Sequence, residues 1–201
     1  MIKELVIGTT NPAKVSQLRD VLTPLGIKVE GMEKGQVPEV TEDGATVQEN
    51  ARKKATAYAS ALGRTVLSMD NALFIDGLAL EQQPGIHVRR IGGTLAVNDE
   101  ELLAHGAALV ESLGGTATGY WEFGVCIAAP SGTVSELTIR TPQRTFTSTP
   151  STTTIPGHPL ESIQIDPESG KYISEMTAEE QADFWQKTIG VTLATFVQGV
   201  L

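Results

Sequence analysis

The chain has 201 residues, 40% of them apolar, one cysteine and a formal charge of −9. That length supports one large core or two lobes sharing a sheet, while Cys126 alone excludes an internal disulfide and any cysteine-based metal cluster. The acidic balance argues against a broad grip on a nucleic-acid backbone, so a polyanionic ligand requires cations concentrated locally.

No apolar run approaches the ~20 residues that span a bilayer. The N-terminus runs straight into a strand pattern and lacks the layout of a secretion signal. A cytoplasmic protein without membrane or nucleic-acid partners is expected. Residues 2–8 form a short apolar strand centred on Leu5-Val6-Ile7. Thr9-Thr10-Asn11-Pro12 is a cap-and-turn cluster, and Val15, Leu18, Val21 and Leu22 then repeat at helical spacing until Gly26. Residues 27–32 alternate as a strand. Strand, helix and strand in that order predict an α/β fold with a partly parallel sheet.

Residues 38–45 read as a loop and 46–62 as a helix, with Thr46 as cap, Glu49 completing a capping box and Gly63 as the stop. Val66 to Asp70 reads as a strand emerging at a carboxylate, followed by an apolar segment over 73–80 and a break at Pro84-Gly85. Residues 98–113 are helical, and Tyr120–Ala129 with Thr133–Arg140 predict a hairpin turning at Pro130-Ser131-Gly132. Cys126, flanked by Val125 and Ile127, is expected to be a buried small hydrophobe. Residues 141–156, rich in Thr, Ser and Pro, are expected to be partly extended. Thr177 starts a last helix that continues to about Val200, with Glu179 and Glu180 in its first turn.

Three segments could carry chemistry. The first is Gly8 to Lys14, where backbone N–H groups at a helix start favour an anion and Lys14 can reach back to it. It lacks the spacing of a Walker A loop, and a capping turn beside a solvated lysine is the plain alternative. The second is Glu42-Asp43-Gly44 leading into Glu49, Asn50, Lys53 and Lys54, where carboxylates either cap, face solvent or ligate a hard cation. Asn50 and Lys54 share one helix face. The third is Asp70-Asn71, at the end of a strand, where open α/β sheets place ligands.

Together the three resemble one family. TTNPAK is similar to the (S/T)xNxxK element of inosine/xanthosine triphosphate pyrophosphatases, and EDGATVQENARKKA to their E(T/D)GxTxxENAxxKA element. SMDNALFIDGL with PGIHVRR resembles the ADDSGLxVDxL and PGxxSAR elements, and ESGKYISEMTAEE resembles a stretch near the family's C-terminus. The resemblance implies a single domain over residues 1–201, a curved mixed sheet with flanking helices, two lobes around a nucleotide cleft, and a homodimer. It implies Mg²⁺-dependent hydrolysis of a nucleoside triphosphate to the monophosphate and pyrophosphate. On matching positions, Thr9, Thr10, Asn11 and Lys14 bind phosphate. Lys54 adds charge, Glu42 and Asp70 hold the metal, and Asp70 helps activate water. Asn71, Arg90, Glu161 and Lys187 complete the implied substrate set.

The departures cluster. DDSG of the family is Met69-Asp70-Asn71-Ala72 here. GFGYDPIF is replaced by residues 157–164 (GHPLESIQ), and the SHR element by Trp185-Gln186-Lys187. Phosphate-handling positions are mostly kept and base-reading ones mostly rewritten. An altered base preference is therefore expected, with a catalytically weak nucleotide-binding protein or a hydrolase of a modified nucleotide as alternatives. His158 and Trp185 are rings available for stacking on a base, though a surface or core role suits either.

Overall fold

The computed structural model describes residues 3–33, 35, 37–93 and 96–201. It is a mixed α/β structure with a seven-stranded open sheet in the order β2-β1-β3-β4-β6-β7, β5 pairing with β4 off that path. The strands are β1 Lys3–Ile7, β2 Ile27–Gly31, β3 Val66–Ile75, β4 Thr116–Ala128, β5 Val134–Arg140, β6 Arg144–Thr147 and β7 Gln164–Ile165. The helices are α1 Pro12–Leu22, α2 Val47–Leu62, α3 Asp99–Ser112, α4 Ala178–Trp185 and α5 Val191–Val200. Among the described residues, no helix is long and apolar enough to cross a membrane.

The chain divides into two compact units assembled from separate stretches. The first comprises Met1–Asn71, Glu122–Arg140 and Ala182–Leu201; the second comprises Ala72–Trp121 and Thr141–Gln181.

In the first unit, β1 pairs in parallel with β2 and β3, as the β1-α1-β2 sequence requires. Asn11 caps α1 by accepting from the Ala13 N–H at 2.9 Å, and Pro12 starts the helix with its φ preset. Val15, Leu18, Val21 and Leu22 form the buried stripe expected of α1, each such side chain contributing about 1.5–3 kcal/mol. A short 3₁₀ turn then ends at Gly26, whose φ of +74° is left-handed. In α2, Ala51, Ala55 and Ala59 face the core with Val6, Met32, Val66, Cys126 and Ala128. Cys126 is fully buried, as its neighbours predicted, and burial pushes its thiol pKa up to about 11.

Close approach fixes where α2 begins. A Cβ on Gly124 would lie 2.5 Å from the Val47 carbonyl carbon and 2.6 Å from the Gln48 nitrogen. Only glycine in β4 admits the first turn of α2, the turn that carries Asn50.

In the second unit, β4 and β6 pair antiparallel, as do β6 and β7. Asn98 and Glu101 form a reciprocal capping box on α3, and Gly106 lets α3 close on Leu160 and Ile163 of the 3₁₀ turn Pro159–Ile163. The hairpin expected around residues 130–132 is present as β4–β5, within the first unit.

Two sequence expectations are corrected. β3 runs unbroken from Val66 to Ile75, so Asp70 is mid-strand rather than at a strand end. The parallel pairing with β1 nevertheless stops at Ile7↔Leu67, so Asp70 lies just past the end of that ladder, where β1 has already turned into α1. The final helix is also not continuous: Gln186–Gly190 is a π-helical turn between α4 and α5. There Gln186 Nε2 donates to the Asp20 and Val21 carbonyls at 3.4 and 3.3 Å, satisfying the C-terminal end of α1. Gly190, lacking a Cβ, leaves room for the Gln186 amide.

Candidate active site

The first unit gathers most of the residues singled out from the sequence. β1 ends in the Gly8–Asn11 turn, where the Asn11 N–H donates to Thr9 Oγ1 at 3.1 Å while the Asn11 side chain caps α1. Lys14, in the first turn of α1, donates to Asn71 Oδ1 on β3 at 2.5 Å. Asn71 therefore holds the lysine expected to bind phosphate. Thr10 is exposed at the same turn.

Asn50 and Lys54, one turn apart on α2, both reach Asp70. Lys54 Nζ lies 2.9 Å from Glu42 Oε2 and 3.3 Å from Asp70 Oδ1, and donates to the Met69 carbonyl at 3.3 Å. Asn50 Nδ2 donates to the other oxygen, Asp70 Oδ2, at 3.0 Å. Lys54 and Asp70 are each only 7% exposed. Burial works against the Lys54 charge, but Asp70 and Glu42 outweigh it and hold the ammonium pKa above the ordinary lysine value. A buried charge kept ionised by two carboxylates is costly to assemble, so its presence points to use rather than stability.

Glu42 stands in the loop before α2, and the first turn of that helix is capped locally. Thr46 Oγ1 accepts from the Glu49 N–H at 3.1 Å, and the Glu49 carboxylate accepts from the Ala45 N–H at 2.7 Å. The capping box predicted here is thus displaced by one residue on its return bond.

The donor set fits a hard divalent cation in part. Glu42 and Asp70 supply two carboxylates on one ammonium, the number Mg²⁺ takes alongside water and phosphate oxygens. Among the described residues, no group of three or more His, Cys, Asp or Glu gathers as a metal site. Met69, where the family pattern has Asp, is buried and offers Lys54 only its carbonyl.

The remaining candidates divide between the units. In the second, Glu161 is buried, with Oε1 3.1 Å from His158 Nδ1. Trp121 Nε1 and Arg144 Nη1 both donate to Gln164 Oε1, at 2.8 and 2.9 Å, and Gln164 Nε2 donates to the Leu160 carbonyl at 2.9 Å. Burial pulls the Arg144 pKa down to about 10, against the opposing pull of Glu161 and Asp166. Arg90 is exposed, and it is the neighbouring Arg89 that donates to Asp99 Oδ1 at 2.7 Å and to the Gly157 carbonyl at 3.1 Å. Asp99 Oδ2 also accepts from the Gly157 N–H at 2.6 Å, which pins the residue before His158. Burial raises the Asp99 pKa, but these bonds prevail and hold it below the usual carboxylate value. Lys187 is exposed on the π-helical turn in the first unit, and Trp185 is buried there, which favours a core role for its ring.

Three of these features were not singled out from the sequence: the Asn50 bridge, the Asn71–Lys14 bond and the Arg89–Asp99 clamp. The only signal for the first was helical spacing between Asn50 and Lys54; the second joins residues 57 apart, and the clamp joins residues ten apart with no periodic pattern.

Comparison with known proteins finds relatives of this chain. The model of the Ham1 family matches residues 5–185. A dITP/XTP pyrophosphatase of Exiguobacterium sp. is 40% identical over 140 residues, 68% of this chain and 67% of that protein. A dITP/XTP pyrophosphatase of Bacillus subtilis is 38% identical over 94 residues, 46% of each chain. The chain thus spans about two thirds of the first relative's length and under half of the second's. The Staphylococcus aureus Ham1 protein superposes with a TM-score of 0.69 at 23% identity, over 99% of this chain and 100% of that one. A HAM1 protein from Coxiella burnetii gives 0.74 at 21%, over 98% and 99%. With a family match over residues 5–185 and a 40%-identical relative covering two thirds of its length, the chain belongs to the Ham1 family.

Proposed function

We propose that this protein is a nucleoside triphosphate pyrophosphohydrolase using Mg²⁺, acting on dITP, XTP or a related triphosphate with a base preference of its own. The observation that carries the reading is the Lys54 ammonium held between Glu42 and Asp70, with Lys14 at the start of α1 in the same unit. Phosphoryl chemistry depends on positioning and on neutralising charge that develops on oxygen, and this is a set of groups able to do both.

In this reading Lys14 and the Gly8–Asn11 turn bind phosphate oxygens. Lys54 moves from its carboxylates toward the phosphate chain as charge develops there. Asp70 orients a water and takes its proton as the water oxygen bonds to the α-phosphorus and the bond from that phosphorus to the α–β bridging oxygen breaks. The products are a nucleoside monophosphate and pyrophosphate. When bound, Mg²⁺ neutralises phosphate charge and makes its water more acidic, and Glu42 and Asp70 are the residues that would hold it.

Altered base preference is supported by Glu161, buried against His158 in the segment where the family resemblance expects an aromatic and an Asp. The substitution of Met69 for an Asp favours a second reading, in which nucleotide binds and turnover is weak. A homodimer in the cytoplasm belongs to the same proposal.

The test is pyrophosphate release with Mg²⁺ across ITP, dITP, XTP, GTP, ATP, UTP and CTP. Release from ITP, dITP or XTP supports the family substrate class, and release from another base supports a rewritten pocket. Nucleotide-dependent thermal stabilisation without release of monophosphate favours the second reading. The absence of both release and stabilisation defeats the proposal.

A further inference from the structure

Asn50 is 1% exposed, so it has no access to substrate. Both ends of its amide are used nonetheless. Nδ2 donates to Asp70 Oδ2 at 3.0 Å, and Oδ1 accepts from the Gly44 N–H at 2.8 Å. An amide has no rotational symmetry in its bonding: the donor end must face the carboxylate and the acceptor end the N–H. One side chain therefore connects β3, at Asp70, to the loop that carries Glu42. It fixes the Asp70 carboxylate by one oxygen and leaves Oδ1 toward Lys54, 3.3 Å away. Gly44 is required on the other side, because a Cβ there would lie 2.7 Å from Asn50 Oδ1 and 2.8 Å from Glu49 Cβ. Gly44 is not among the glycines with positive φ, so this requirement is one of space and not of backbone conformation.

We infer that Asn50 is a positioning residue for the reaction: it sets the plane of the Asp70 carboxylate and its separation from Glu42, so that the two carboxylates act on one cation. The inference rests on the proposed pyrophosphohydrolase reading and deepens it. A carboxylate free to turn about its χ2 axis would share its oxygens among Lys54, water and metal in several arrangements, of which one is productive. Geometric looseness of this kind lowers turnover while leaving the phosphate-binding groups Lys14 and Thr9 untouched.

The experiment compares Asn50→Ala, Gly44→Ala and Thr46→Ala with the wild type. Four quantities are read: kcat, KM for dITP, thermal midpoint, and Mn²⁺ affinity measured directly by electron paramagnetic resonance without nucleotide. Asn50→Ala removes the bridge, and Gly44→Ala displaces it from the opposite end while leaving every proposed catalytic group in place. Thr46→Ala removes the α2 cap and controls for lost helix stability alone. The expected result is a kcat lower by roughly 10- to 100-fold in both bridge variants, with KM within about threefold and Mn²⁺ bound several-fold more weakly. Thr46→Ala lowers the thermal midpoint and leaves kcat and Mn²⁺ affinity near wild type. If the bridge variants lose only thermal stability, or Thr46→Ala loses kcat equally, Asn50 is a fold brace and the inference is overturned. A wild type that binds Mn²⁺ but releases no pyrophosphate defeats the activity reading and leaves the bridge to be judged by Mn²⁺ affinity. A wild type that does neither overturns both.

Discussion

The two units use their polar residues in opposite ways. In the first, Lys14, Glu42, Asn50, Lys54, Asp70 and Asn71 bond chiefly to one another, so charged atoms converge on one another. In the second, Arg89, Asp99 and Gln164 bond to main chain as much as to side chains, and hold Gly157 and Leu160 in place. On the proposed reading, the first arrangement keeps charge available for a polyanion, while the second shapes backbone around a buried carboxylate. Chemistry and shape would then fall to different stretches of chain.

Four measurements break or sharpen that contrast. The largest effect is expected from Asp70→Asn, which keeps the shape but removes the charge facing Lys54. Pyrophosphate release should fall by roughly 10³-fold or more with the circular dichroism spectrum unchanged, and activity above a tenth of wild type would refute the assignment.

Lys54→Met comes next. It leaves Asp70 buried and Glu42 half-exposed without their cation, so activity should fall at least ~100-fold, and stability by about 2–3 kcal/mol after allowing for Glu42's access to water. The pH dependence follows from the raised Lys54 pKa. Folding favours the protonated form, so the contribution is complete below the ordinary value of 10.5 and is lost as pH rises through the folded-state value. Thermal midpoints between pH 9 and 11.5 should therefore fall more steeply for the wild type than for Lys54→Met. Parallel curves would mean that the pair adds nothing to stability.

Glu161→Gln tests the second unit. It keeps the volume beside His158 and removes the charge, so the ratio of kcat/KM between purine triphosphates should shift by about 10-fold while kcat for the best substrate changes little. An equal loss across all bases would place Glu161 with the catalytic groups instead.

The smallest effect is expected from Arg89→Met. Arg89 and Asp99 are each about a third or more exposed, at 34% and 41%, and Asp99 keeps its bond from the Gly157 N–H. A loss of about 1 kcal/mol or less, read by denaturant unfolding, is the expected outcome. A larger loss accompanied by changed base selectivity would show that the clamp shapes the recognition segment.

Much of the first unit was legible because its information is local. The Asn11 and Thr46 caps, the stop at Gly26 and the Val15–Leu22 stripe depend on neighbours within four residues, and each is where the pattern placed it. Asn50 and Lys54 share a face for the same reason. The family resemblance was densest there too, since its motifs are short contiguous stretches. The stretch over 141–165 was barely legible, because it is held by Ser151 on Glu175, Ser162 on Thr153 and Arg144 on Gln164, none of which leaves a periodic trace.

What the sequence determined by itself was the order of strands and helices as far as Arg140, most of their caps and the residue types available for phosphate chemistry, all set by backbone preference and local spacing. Only the tertiary structure decided how far the elements extend and what the side chains do there. β3 continues past Asp70 because further pairing partners follow, with Leu73 bridging to Gly85 and the Asp76 N–H donating to Thr118. The last helix loosens at Gln186 because carbonyls 165 and 166 residues away need a donor. Asp70 is presented to Lys54 by one oxygen because Asn50 holds the other. Unsatisfied polar groups must find partners wherever packing brings them, and packing is not written in the periodicity of any one segment.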